Sequence, residues 1–148
     1  MDRGLIGEWG KSVPVFVYGT LREGGRLRGY YLDDGNIDSK VERGTVHGYQ
    51  LIDPPRWGFP LMVPASSGIV TGDLQWVQSG PRLEAMVGME MGAGYDLSMV
   101  EVHTESMVIP VNAIAFTWQR DLPKGSRVVP SGDWLVAERQ RLTSGSGW

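Results

Sequence analysis

One carboxylate in this chain stands among apolar residues at helical spacing. Leu83, Met86, Val87 and Glu90 recur at intervals of three and four, which places them on one face of a helix. Ser79-Gly80-Pro81 supplies the start of that helix, with Ser79 near the N-cap and Pro81 in the first turn. A carboxyl held beside Leu83, Met86, Val87 and Met89 resists ionisation, so its pKa should rise toward the range useful for proton transfer at neutral pH. The same spacing also suits a Glu90 at the helix end facing water, and the pattern alone does not choose between the two. A second feature is the run Val15-Phe-Val-Tyr-Gly-Thr-Leu21, a β-branched and aromatic strand that stops at a glycine turn. Such a turn exposes consecutive backbone N–H groups, which cradle a carboxylate or a developing oxyanion without any charged side chain. Hydrophobic strands ending at glycine are common, so this signal is weak in isolation.

Other chemistries fall away quickly. The 148 residues include no cysteine, which removes disulfides, zinc–thiolate sites, iron–sulfur clusters and cysteine nucleophiles together. A net charge of −3 argues against nucleic acid as the main partner, because phosphate binding needs a basic face. His47 and His103 are the only histidines and lie far apart in sequence, so each reads as structural. A transition-metal site would have to use these two plus carboxylates, and none is expected. Gly10-Lys11-Ser12 has the ending of a phosphate loop, but Leu5 stands where that loop needs a glycine. The glycines from Gly24 to Gly29 have the wrong spacing for a dinucleotide fingerprint, and no Gly-x-Ser-x-Gly elbow occurs. Five of the seven methionines lie between Met86 and Met107, which adaptable core packing explains. No stretch of 18 apolar residues exists and the start is not leader-like, so no membrane association and a cytoplasmic location are expected.

The elements that must position these groups are short. Residues 13–18 read as a strand buried on both faces. A brief helix or turn is expected over 27–32, and residues 41–52 read as a second strand with Gly44 and Gly48 as bulge or close-approach positions. Asp53-Pro54-Pro55 ends that strand. Residues 59–63 form a short extended piece between prolines. A separate strand over 68–77 puts Val70, Gly72, Leu74 and Trp76 on one face. The pattern is β-like again over 95–103 and over 111–118, where Ala113, Ala115 and Thr117 alternate with larger residues. Pro130 to Asp133 forms a turn, and residues 134–142 have helical character. Without regular βα alternation, this is an α+β domain or small mixed barrel rather than a doubly wound sheet. Glycine, 21 residues or about twice its usual share of about 7%, agrees with many tight turns.

The string FVYGTLREGGRLRGYYL resembles the opening of the gamma-glutamylcyclotransferase-like family, whose first strand runs into Tyr-Gly-(Thr/Ser)-Leu. The resemblance continues through Gly48-Tyr-Gln-Leu-Ile52, Phe59-Pro-Leu-Met-Val63 and Val70-Thr-Gly-Asp-Leu74, and ends near Pro130-Ser-Gly-Asp-Trp134. Residues 86–102 look like the family stretch that contains an Asp-x-x-Glu-Gly box, a tyrosine and a valine-rich strand. Here Val87 replaces the leading acid and Met91 the trailing glycine. A different register would put the family glutamate at Val87. The register with Glu90 is preferred because its interval to Tyr95 fits the family's short spacing and because the reaction needs a carboxylate.

The resemblance implies an α+β fold, a small mixed β-barrel with a few short helices. Residues 1–12 would be an N-terminal extension, 13–142 the gamma-glutamylcyclotransferase-like domain and 143–148 a flexible tail. It implies a cofactor-independent cyclisation of a gamma-glutamyl amide to 5-oxoproline with release of an amine or amino acid. Glu90 would be the catalytic acid–base, with Tyr18, Gly19, Thr20, Leu21 and Tyr95 binding the substrate. The altered box keeps open a catalytically degenerate member that serves as a binding module for a small ligand or a protein. Exposed tryptophans such as Trp9 and Trp148 would suit a protein partner.

Overall fold

A computed structural model of the chain describes residues 12–19 and 37–144. Thr20, Leu21, the segment 27–32, Trp9 and Trp148 lie outside the described residues, as do residues 1–11. The first strand, β1 (Ser12–Val17), is built from the β-branched and aromatic run singled out above. It pairs antiparallel with β3 (Leu61–Gln78) on one side and parallel with β5 (Val111–Thr117) on the other, through Val15 and Ile114. With both edges paired and both faces covered, residues 13–17 are all buried, as their continuous hydrophobicity implies.

The sheet order is β3-β1-β5-β4-β2-β6, with β2 (Ile37–Asp53) also pairing to β3. That extra pairing closes β1 to β5 into a five-stranded barrel. The two-residue β6 (Arg127–Val128) is left as an addition on the end of β2. β4 (Asp96–Thr104) joins β5 from Asp96 to Val102, and its last two residues meet β2 at Gly44 and Thr45. Gly44 is a close-approach position: a Cβ there would stand 2.5 Å from Val102 Cγ1.

β2 and β3 form a hairpin whose strands are 17 and 18 residues long. At about 3.3 Å per residue, straight strands of this length would outreach a compact domain of this size. The ladder therefore breaks once in its middle, between His47 paired with Ile69 and Tyr49 paired with Pro64. Gly48, at φ 88°, makes the bend on β2. The sequence suggested two extended pieces, 59–63 and 68–77, and the structure joins them into the single β3. Pro64 does not end the strand because it falls at the register break, where regular pairing is interrupted.

Two buried clusters follow from the strand alternation. One draws on all five barrel strands, with Phe16, Met62, Val70, Leu74, Val102 and Ala115 among its members. Trp134 also belongs to it, from the first residue of α2 (Trp134–Ser144). Asp133 caps that helix, its Oδ1 accepting from the N–H groups of Leu135 at 3.1 Å and Val136 at 3.3 Å. The second cluster sets Val13, Val15, Val17, Leu61, Ile114 and Phe116 against α1 (Pro81–Gly92) through Leu83, Met86 and Val87. Gly80 rather than Ser79 occupies the N-cap of α1, at φ 152°, and Pro81 takes the first turn where its missing N–H costs nothing. Among the described residues the fold is therefore an α+β barrel with two helices.

Two glycines should respond to alanine with opposite signs. A Cβ at Gly72 would lie 2.5 Å from the Val17 carbonyl oxygen and 2.6 Å from Phe16 Cζ, with little room to yield. Gly72→Ala should lower the unfolding free energy by about 1–3 kcal/mol. Gly88 lies exposed inside α1 with nothing near its absent Cβ, so Gly88→Ala should raise it by about 0.5–1 kcal/mol. Urea titrations of both variants check the pair of signs.

Candidate active site

The C-terminus of α1 fixes the acid. Gly94, at φ 107°, reverses the chain after Ala93, and its N–H bonds the Met91 carbonyl at 3.1 Å. The next N–H, of Tyr95, reaches back to the Glu90 carbonyl, also at 3.1 Å. These two bonds make a Schellman motif, which ties Glu90 in the last turn to Tyr95 just beyond the helix. Two apolar residues usually meet across this motif. Here the positions carry a carboxyl and a phenol.

Around that pair the barrel closes. Glu90 is half-buried on the stripe of Leu83, Met86 and Val87, so it does not stand in open solvent. Burial raises its carboxyl from an ordinary 4.5 to about 7. Tyr95 is buried, and its hydroxyl donates to the Pro60 carbonyl at 2.7 Å. Burial first, and then the charge of Glu90, pushes its phenol far above the usual value. Tyr18 follows β1 directly and donates its hydroxyl to the Phe116 carbonyl. Its phenol is raised chiefly by burial, then by Tyr95 and Glu90, with a hydrogen bond from the Met62 backbone opposing the shift. The three titratable groups thus feel one another. Both phenols are committed to main-chain carbonyls, so Glu90 is the group of the three that exchanges a proton near pH 7.

Gly19 closes the ring of contacts. It is buried, and a Cβ there would stand 2.8 Å from Pro60 Cδ, so the turn after β1 packs directly on the residue whose carbonyl receives Tyr95. The structure therefore brings Tyr18, Gly19, Glu90 and Tyr95 to one place. Thr20 and Leu21 follow Gly19 in the chain but lie outside the described residues. The two histidines lie elsewhere and meet each other, with ring centroids 5.1 Å apart, both exposed. No group of three or more metal-ligating side chains is present among the described residues, and none of the described helices is long and apolar enough to cross a membrane.

Sequence reasoning gave Pro60, Trp57, Phe59 and Trp118 no role at the site. Trp118 packs edge-on against Tyr95 at 5.5 Å, and its backbone N–H bonds the Met62 carbonyl at 2.8 Å. Trp57 in turn meets Trp118 at 5.6 Å and Phe59 at 5.5 Å. Segment 59–63 carried the only available signal, a proline between apolar residues. Nothing local shows that it returns to the glycine turn of β1, because the long hairpin makes that contact.

Residues 15–136 match the family described as gamma-glutamyl cyclotransferase, AIG2-like, and the chain belongs to that family. A comparison with curated proteins returns no match. Among solved structures, an uncharacterized protein from Pyrococcus horikoshii is similar at 26% identity and a TM-score of 0.67, over 89% of this chain and 98% of that one. A protein from Arabidopsis thaliana is 21% identical with a TM-score of 0.66, over 91% and 85%. An AIG2-like protein from Mus musculus is 20% identical with a TM-score of 0.64, over 77% and 82%. The last two likenesses establish the fold alone.

Two measurements probe this geometry. Gly94→Ala should cost about 1–2 kcal/mol through its left-handed backbone, and more because the new Cβ would stand 3.0 Å from the Trp118 ring. Urea denaturation gives the size. Glu90 should also leave a mark on pH dependence. Its folded pKa of about 7 lies above the ordinary 4.5, so the folded state holds the extra proton between those values. The stability that neutral Glu90 contributes is fully present below the lower value and is lost as pH rises through the upper. The melting temperature of Glu90→Gln relative to wild type should therefore increase between pH 5 and pH 8. A constant difference across that range would contradict the burial of the carboxyl.

Proposed function

We propose that the protein cyclises a gamma-glutamyl amide to 5-oxoproline and releases the amine or amino acid on the other side of the amide bond. The observation that carries this reading is Glu90, a half-buried carboxyl raised to about 7 whose charge is felt by Tyr18 at the end of β1. A group with that pKa both accepts and returns a proton at neutral pH, as a transfer between two nitrogens requires.

The substrate's α-nitrogen begins as an ammonium. Glu90 takes a proton from it, and the freed amine attacks the γ-carbonyl carbon in the same molecule to form the five-membered lactam. The bond from that carbon to the leaving nitrogen breaks. Two protons leave the α-nitrogen overall and two reach the leaving nitrogen, so the carboxyl ends as it began. Because nucleophile and electrophile share one chain, the protein supplies orientation and proton management rather than a nucleophile of its own. The backbone N–H groups of Gly19, Thr20 and Leu21 are assigned to the glutamyl portion, with Tyr18 and Tyr95 as walls. The hydrogen bonds from both phenols to main-chain carbonyls hold those walls rigid.

Incubating the protein with a panel of gamma-glutamyl amides and quantifying 5-oxoproline tests the reading. Wild type should release it, and Glu90→Gln should lose at least about 100-fold in kcat. The wild-type kcat/KM should climb with pH toward a limb near 7 as Glu90 ionises. Wild type that is inert across the panel, yet melts higher in the presence of 5-oxoproline, would mark a binding module instead.

A further inference from the structure

Four rings form a continuous array that starts at the acid and ends toward the surface. Tyr95, whose phenol feels the charge of Glu90, meets Trp118 edge-on at 5.5 Å. Trp118 meets Trp57 at 5.6 Å, and Trp57 meets Phe59 at 5.5 Å. Tyr95 and Trp118 are buried, whereas Trp57 and Phe59 are half-buried and keep part of their surface in contact with solvent. The array is also anchored to the site at its outer end. Phe59 precedes Pro60, which packs on Gly19 and accepts the Tyr95 hydroxyl. The inner indole is fixed in turn, because Trp118 Nε1 donates to the Asp121 carbonyl at 3.2 Å.

We infer that this array is the subsite for the leaving group, and that the leaving group is an amine with an apolar or aromatic body rather than an acidic amino acid. The inference rests on the cyclisation reading above. Rings offer apolar surface to an apolar group, and the partial negative charge of their faces attracts cations and repels a carboxylate. The chemistry suits the product as well as the substrate, since the departing nitrogen leaves as an ammonium. A cation does border the array. Arg120 Nε is 3.7 Å from the point where a Cβ of Gly94 would lie, and that point is 3.0 Å from Trp118. Arg120 is exposed, however, whereas the indole it borders is buried. It defines the competing outcome, a leaving-group carboxylate held by the guanidinium.

The test compares the gamma-glutamyl amides of benzylamine, butylamine, methylamine, alanine and glutamate in the full chain. Benzylamide and butylamide should exceed the alanine and glutamate conjugates in kcat/KM by at least about tenfold. Trp57→Ala should raise KM for the benzylamide about tenfold at nearly constant kcat, with a smaller change for the methylamide, whereas Trp57→Phe should retain most of the preference. Unchanged circular dichroism establishes that each variant folds. A Phe59→Leu variant reads the same wall should Trp57→Ala prove unstable. Faster turnover of the glutamate conjugate, abolished by Arg120→Gln, overturns the assignment, and so does equal turnover of all five amides. Those results leave the cyclisation reading intact. Failure of every amide to yield 5-oxoproline removes that reading, and the subsite with it.

Discussion

Everything at the site hangs from the turn that ends α1. Its two hydrogen bonds set the helix and the following strand at one angle, and only a residue at the φ of Gly94 permits them. Glu90 and Tyr95 are placed by this turn together. Tyr95 leads into β4, where Asp96 pairs with Thr117, and Trp118 follows Thr117 directly. The helix that carries the acid is thereby locked to the β4–β5 edge of the barrel. Tyr95 against Trp118 is the packing seal of that lock.

Barrel closure imposes the second constraint. β2 and β3 must each cross the sheet and bend, and the break around Gly48 allows it. The bend lets one hairpin meet the end of β1 twice. Its far arm holds Asp73 beside Val17 in the ladder with β1, and its near arm begins at Leu61, just after the proline that touches Gly19. Gly19 has no side chain because Pro60 already occupies that space. The same proline offers its carbonyl to Tyr95. The glycine turn, the aromatic wall and the acid are thus three consequences of one closed sheet.

Much of this was legible in the sequence, for reasons specific to each element. Period-3.6 spacing showed the stripe of α1, and burial of Leu83, Met86 and Val87 agrees with it. Continuous β-branched residues gave β1, because a strand paired on both sides and covered on both faces tolerates nothing polar. Gly44 and Gly48 stood out because glycine weakens a strand unless geometry demands it, and each meets such a demand. What failed was the continuity of β3. Proline normally ends a strand, and no local signal says that Pro64 falls at a break in pairing. Ser79 does lie beside the cap of α1, but Gly80 forms it, since the backbone angle needed there is one for glycine. The aromatic array was invisible for a different reason. Trp57, Tyr95 and Trp118 are distant in sequence, and only tertiary closure makes them neighbours.

With the family glutamate placed at Glu90, the two departures from its acidic box can be weighed physically. Val87, where the box leads with an acid, is fully buried between α1 and the sheet in the cluster of Leu83 and Met86. A second carboxyl there would face the same apolar surface one turn from Glu90, and the like charge would disfavour ionisation of both. With valine in place, burial is the whole cause of the shift at Glu90. Met91, where the box ends in glycine, is exposed within the last turn of α1, a position that helical backbone fills without strain. The reversal that needs glycine comes three residues later, at Gly94. Valine at 87 therefore removes a carboxyl one turn away but leaves Glu90 itself in place, and methionine at 91 removes nothing from around Glu90 or Gly19. The acid's proton affinity is set by the packing of one helix face, and the turn behind that helix keeps it there.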